Sequence, residues 1–279
     1  MFSCINLQDE ARVESISRFW LQSSNVSLLR DLTKKHSLVC PKCKDSVIYK
    51  NGLKKSAHFA HRPSKDQRSC TLEKERRSAT ESRVVSLIFE ELEKHSHYEA
   101  QVDVLLEGSD QTIDLLISKG GKILCAYWVL DRGRREDTLA RLSAPLKSKG
   151  IPYQFIFTGD SISESSKRHI SMSSSVEREA TYTAKYDLEE VDVESGEEYG
   201  HLNYFDEESS LLKVYRGIFR GTYGMLRTIP INKVIVDEKG DLLCMEDLDH
   251  AEEALSWIDE RERTNRRRSR MQELKRINR

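Results

Sequence analysis

The sequence predicts an α/β fold preceded by a metal-binding segment, on three observations. Residues 123–130 form an apolar run with the length and composition of a buried strand. Helix-period segments stand on both sides of it in the chain. Finally, Cys40 and Cys43 are spaced as Cys-x-x-Cys and are followed by His58, His61 and Cys70.

The elements follow in order. Residues 1–38 carry an apolar pattern at Val26, Leu28, Leu29 and Leu32 that suits a short helix or strand. Residues 39–72 hold the Cys/His cluster, and residues 73–159 read as one α/β unit. That unit opens with a helix, roughly 73–95, whose Val84, Val85, Leu87, Ile88 and Leu92 recur at helical spacing. A strand over 98–106, a second over 112–117 and the turn Lys119-Gly120-Gly121 come next. The buried strand leads to a helix over 136–149, stopped at Gly150. A strand over 153–157 follows this crossover helix and is expected to run parallel to its neighbour.

Residues 160–180 are serine-rich and read as a linker. Residues 181–258 alternate, notably in 185–193, 211–219 and 233–236, and read as a β-rich region or as an addition to the preceding sheet. Glu238-Lys239-Gly240-Asp241 is a hairpin turn by composition. A closing helix starts near Asp249 and leads into a basic tail, residues 259–279. A length of 279 residues suits two modest domains.

Composition narrows the classes. The longest apolar run is far shorter than the roughly 20 residues that span a bilayer, and Met1-Phe2-Ser3-Cys4-Ile5-Asn6 does not begin a secretory signal. A cytoplasmic, reducing setting is therefore expected, without a membrane partner. Charge is uneven within a formal net of −1. Residues 261–279 contain nine Lys or Arg against two Glu. Arg261, Arg263, Arg266, Arg267, Arg268 and Arg270 are the candidate contacts to an anionic partner, nucleic acid above all.

The Cys/His cluster points to structural zinc. Two thiolates separated by two residues reach one ion from a tight turn, and structural zinc takes four N or S ligands. Five candidates are present: Cys40, Cys43, His58, His61 and Cys70. If residues 58–61 form a strand, His58 and His61 point different ways, and Cys40, Cys43, His61 and Cys70 make the preferred set, with His58 as rival. The carboxylates between Cys40 and Cys70, Asp45 and Asp66, read as surface residues and not as the base of a catalytic zinc, and the strand-then-helix frame of a redox Cys-x-x-Cys is missing.

These pieces together resemble the competence protein CoiA-like family. Carrying the resemblance are Cys40-Pro41-Lys42-Cys43, Lys50-Asn51-Gly52-Leu53-Lys54-Lys55, His58-Phe59-Ala60-His61, Cys70, Glu81-Ser82 and Asp114, over about residues 30–160. The resemblance implies an N-terminal zinc segment and a nuclease-like domain of the PD-(D/E)XK type, associated with DNA uptake and processing. Such nucleases use a helix Glu, a strand Asp, and a Glu-x-Lys or Glu-x-Gln on the next strand. Glu81 and Asp114 match the first two catalytic positions. The third does not match, because Ala126 and Trp128 stand there. Tyr127 and Trp128 are expected to fill the vacated site.

The sequence therefore reads as a catalytically degenerate nuclease-like protein that binds DNA or another nucleic acid. Two alternatives stand beside it. One is an active metal-dependent DNase, using magnesium or manganese, with rearranged acids Glu81, Glu99, Asp103 and Asp114. The other is a protein-interaction scaffold.

Overall fold

The strand expected to be most buried, Lys122–Leu130, lies at the centre of a seven-stranded mixed sheet in the computed structural model. The model describes residues 1–52, 55–62, 70, 77–95, 97–106, 111–131, 136–159, 162–165, 169–172, 191–192, 197–198, 200–218, 223, 225–237 and 240–244.

The N-terminal unit comes first. Strands β1 (Ser3–Asn6), β2 (Arg12–Glu14) and β3 (Leu38–Val39) form an antiparallel sheet with β1 in the middle. Between β2 and β3 runs α1 (Ser23–Lys34), which buries Leu29 and Leu32. Strands β4 (Val47–Gly52) and β5 (Lys55–His61) make a separate hairpin. Period-2 alternation sends Val47, Tyr49, Phe59 and His61 inward. Their apolar members pack with Cys4, Leu29 and Leu38 into one small core.

Helix α2 (Ala79–Leu92) begins later than the apolar period alone suggests. Ser78 caps it: its hydroxyl accepts from the Glu81 N–H, and the Glu81 carboxylate accepts from the Ser78 N–H. This reciprocal box satisfies two otherwise orphaned donors and fixes the helix start. Residues 71–76, where the helix is expected to open, lie outside the described residues.

Strands β6 (Glu99–Leu105), β7 (Thr112–Lys119) and β8 (Lys122–Leu130) form an antiparallel meander. Gly120 and Gly121 supply the positive φ that the β7–β8 turn requires. Helix α3 (Glu136–Ser148) carries the chain to β9 (Tyr153–Phe157), which pairs parallel to β8 as expected for a crossover. Gly150, at φ +64°, ends the helix, and the Ile151 N–H returns to the Leu146 carbonyl.

Within the serine-rich stretch read as a linker, β10 (Ile162–Ser165) and β11 (His169–Met172) pair as a hairpin. The short β12 (Val191–Asp192) and β13 (Glu197–Glu198) pair likewise. Strands β14 (Gly200–Asp206), β15 (Leu211–Ile218) and β16 (Met225–Pro230) then extend the large sheet. β14 joins β9 in parallel, so the order is β16-β15-β14-β9-β8-β7-β6. A last hairpin, β17 (Val234–Val236) and β18 (Leu242–Cys244), follows a 3-10 turn at Ile231–Lys233.

Two cores sandwich the sheet. Helix α2 and the β17–β18 hairpin cover one face, where Val85, Ile88 and Phe89 meet Tyr127, Val129 and Val236. Helix α3 covers the other, where Leu139, Leu142 and Leu146 meet Trp128, Tyr153 and Phe155. A strand covered on both faces must be apolar on both, which explains why residues 123–130 read as a run rather than an alternation. The described residues contain no helix long and apolar enough to cross a membrane.

Candidate metal centre and acidic centre

The Cys40–Cys43 turn is built by backbone bonds. The Lys44 N–H donates to the Cys40 carbonyl at 3.0 Å, and the Cys40 N–H to the Asp45 carbonyl at 2.9 Å. Lys44 takes φ +63° to close it. β5 delivers His61, and Cys70 completes the group. The Cys40 and Cys70 sulfurs lie 3.9 Å apart, and Cys43 Sγ lies 3.2 Å from His61 Nε2. All four donor atoms fall within 4.8 Å of one another, so Cys40, Cys43, His61 and Cys70 could hold a metal ion. His58 is outside this group. It faces the other side of β5, opposite Lys50, because neighbouring strand residues alternate.

Burial pushes the Cys40 thiol above its ordinary pKa, opposed by the N–H groups of Cys43 and Lys42. Cys43 is raised too, by burial and by the neighbouring sulfurs. Burial thus favours the neutral thiol at Cys40 and at Cys43. A bound cation reverses that preference and makes them thiolates.

A second cluster lies at the split between β6, β7 and β8. Asp103 and Asp114 stand opposite each other between the antiparallel pairs Val102↔Leu115 and Val104↔Ile113. β7–β8 pairing runs only as far as Leu115↔Tyr127. Beyond it the Asp114 carboxylate takes over the ladder and accepts from the Val129 N–H at 2.8 Å. The strand faces change here as well: Val102 and Leu115 pack in the α2 core, Val104 and Ile113 in the α3 core. Asp103 adopts φ +56° at the change and is buried.

Between the two acids sits Arg77. Its guanidinium lies 2.6 Å from Asp103 and 2.5 Å from Asp114, with Nε donating to Asp114 at 2.7 Å. Its remaining face covers the Phe2 ring. Asp103 also accepts from the Phe2 and Ser3 N–H groups at the start of β1. Burial works to raise Asp103, but Arg77 and these backbone donors outweigh it and hold the carboxyl below the usual range. Burial raises Asp114 despite Arg77 and the Val129 N–H, helped by repulsion from Glu81.

Glu81 therefore does lie near Asp114, but its oxygens are engaged with backbone: Oε2 with the Ser78 N–H and Oε1 with the Asp131 N–H at 2.8 Å each. Glu99 is exposed, four residues along β6 from Asp103, and does not join them. The expected filling of this place by Tyr127 and Trp128 is not what occurs. Strand alternation sends the Tyr127 hydroxyl into the α2-side core, to the Gly240 carbonyl at 2.5 Å. Trp128 enters the α3-side core, stacked on Phe155 with its N–H on the Thr112 carbonyl. At 2% exposure, Trp128 is no platform for a base. Sequence reasoning passed over Arg77. The Ser78-x-x-Glu81 capping box was the signal: it starts the helix at residue 79 and leaves Arg77 just ahead of it, beside the acids. Arg261, Arg263, Arg266, Arg267, Arg268 and Arg270 lie outside the described residues.

A four-donor Cys/His centre that could hold a metal ion, attached to a mixed α/β sheet, defines the class of protein. Residues 21–73 match the family model described as Competence protein CoiA, N-terminal domain, a stretch that contains α1, the β4–β5 hairpin and all four donors. Over that stretch the chain is CoiA-like, in agreement with the resemblance carried by its motifs. No curated protein matches the chain.

Proposed function

We propose that this chain is a zinc-containing, nuclease-like protein that binds DNA or another nucleic acid without cutting it, in the competence-related setting that the CoiA family name describes. The observation that carries this is Arg77. A metal-dependent nuclease leaves acidic ligands open to a divalent ion, which activates water and neutralises the phosphate. Here a guanidinium from the chain itself takes up Asp103 and Asp114. Glu81 and Asp114 are then remnants of a catalytic set in which Ala126 replaces the third acid and Trp128 the water-activating residue.

Zinc suits the first centre. A Zn–S bond of about 2.3 Å gives a tetrahedral S···S edge of about 3.8 Å, and the Cys40–Cys70 separation is 3.9 Å. Cys40, Cys43, His61 and Cys70 would hold the ion in a closed structural site that cross-links the knuckle, β5 and the segment before α2. Arg261, Arg263, Arg266, Arg267, Arg268 and Arg270 would supply phosphate contacts.

The test is incubation with linear, circular and single-stranded DNA in magnesium and then manganese. Binding without cleavage is expected. Cleavage that disappears in Asp114→Ala would overturn the proposal in favour of a rearranged active site.

A further inference from the structure

The unit around the Cys/His centre is strongly basic. Residues 21–62 contain nine Lys or Arg against two Asp, a formal net of plus seven. Three thiolates around a divalent ion would subtract only one from that. Arg30, Lys34, Lys35, Lys44 and Lys50 are exposed, and Arg62 is half-buried.

Backbone and side-chain bonds gather a subset of these in one place. Arg62 donates to the Thr33 carbonyl at 2.5 Å, at the end of α1. Its N–H donates to the Ser46 carbonyl, just past the Cys40–Cys43 knuckle. The Ser46 hydroxyl lies 3.4 Å from His36 Nδ1. These bonds hold Lys34, Lys35 and His36, at and just past the end of α1, beside Arg62 and beside Ser46, two residues along the chain from Lys44. The acids in these segments are Asp31, 3.4 Å from Lys34, and the exposed Asp45.

A solvated helix end would account for one or two of these cations, since the carbonyls of a last turn favour positive charge. Lys44 is a separate matter. It occupies φ +63°, a conformation that costs a side-chain-bearing residue about 1–2 kcal/mol and that glycine or asparagine normally fills. A lysine kept there stands exposed on a turn closed by the Lys44 N–H to the Cys40 carbonyl and the Cys40 N–H to the Asp45 carbonyl.

We infer that the surface of Lys34, Lys35, His36, Lys44 and Arg62 binds the phosphate backbone of a nucleic-acid strand. The inference rests on the nucleic-acid function proposed above and places a contact on the metal-binding unit, away from the Arg-rich tail. The partner is a polyanion with regularly spaced charge, because the cations are spread over a helix end, a knuckle and a strand end and do not close around a single pocket.

The experiment uses the full, metal-loaded chain and a short fluorescein-labelled single-stranded DNA, followed by anisotropy at several salt concentrations. The variant Lys34→Gln/Lys35→Gln/Lys44→Gln is expected to bind about tenfold more weakly at low salt, with a salt slope lower by about 2, as loss of three phosphate contacts requires. Lys34→Arg/Lys35→Arg/Lys44→Arg keeps the charges and is expected to bind as the parent does. Equal loss in both triples, or unchanged affinity and slope in the Gln triple, overturns the inference while the parent's binding leaves the broader function standing. A parent chain that binds neither single-stranded nor duplex DNA or RNA overturns both. A Gln triple that keeps DNA binding but loses binding to phosphatidylserine vesicles assigns the surface to a membrane and overturns it as well.

Discussion

The Cys/His centre and the Asp103–Arg77–Asp114 centre are each a convergence of metal-ligand side-chain types, and they differ in where the compensating charge comes from. In the first, Cys40, Cys43, His61 and Cys70 bring four donor atoms within 4.8 Å of one another, a set that could hold a metal ion. In the second, the cation is covalently part of the chain, with Arg77 at ion-pair distance from both acids. Converging ligands therefore signal a bound ion only when the charge around them is left open. On the function proposed above, the centre that supplies its own counter-charge serves as a structural joint.

The largest expected effect breaks the first centre. Cys43→Ser should abolish a stoichiometry of about one zinc per chain and unfold the N-terminal unit, because metal affinity in such sites is folding free energy of order 10 kcal/mol. Elemental analysis together with near-UV circular dichroism checks this; zinc retained at parent stoichiometry would separate Cys43 from the centre.

Arg77→Met tests the second centre. It leaves Asp103 and Asp114 buried without their partner, a loss of about 3–5 kcal/mol by analogy with broken buried ion pairs. The loss should shrink as pH falls, since the stranded carboxyls can then be neutralised. Urea unfolding at neutral and acidic pH measures both. A uniform loss at every pH would mean that packing on Phe2, not charge, is what Arg77 contributes.

A smaller effect separates the two acids. The Asp103 pKa is depressed by folding. Its contribution is therefore complete above the ordinary Asp value of about 3.9 and is lost as pH falls through the depressed one. Asp114 is raised, so its contribution is more favourable at low pH and declines as pH rises through the interval between its ordinary and raised values. Asp103→Asn should flatten the acid limb of the stability curve, whereas Asp114→Asn should leave that limb in place. The reverse pattern would reassign the partner that Arg77 serves. The smallest effect is expected of His58→Ala, which should keep the full zinc content; loss of zinc would bring His58 into the centre in place of one of the four donors.

Much of this was legible in sequence where local chemistry decides the outcome. The run 123–130, the period of 136–149 and Gly150 together give β8, α3 and β9 because strand length, helix period and a left-handed stop are local properties. Alternation put His58 and His61 on opposite faces of β5, and the structure brings His61 to the other three donors. The turn around Gly240 was equally plain, and its φ of +85° at 2.7 Å from Cys125 for any added Cβ shows why glycine stands there. What stayed hidden depends on distant partners. Alternation marks residues 211–218 as a strand, but nothing local says that β14 will join β9 and carry β15 into the large sheet. Arg77 meets acids 26 and 37 residues further on, and no spacing rule links them. The basic surface of residues 21–62 was masked by the denser charge of the tail.

The contact between β1 and Asp103 has a consequence for the order of assembly. Phe2 and Ser3 find their acceptor about a hundred positions downstream, while β1, β3, β5 and the metal donors all fall within the first 70 residues. Chain segments that close short loops organise sooner than those that close long ones. The metal unit is thus poised to organise early, with docking onto β6 as a late step. Until then Val102, whose N–H and carbonyl are taken by Glu14 and Arg12 in the finished protein, is an open strand edge. An open edge is where chains pair wrongly with one another. Zinc supply during synthesis would then govern yield as much as final stability, because a metal unit that organises late leaves that edge uncovered for longer.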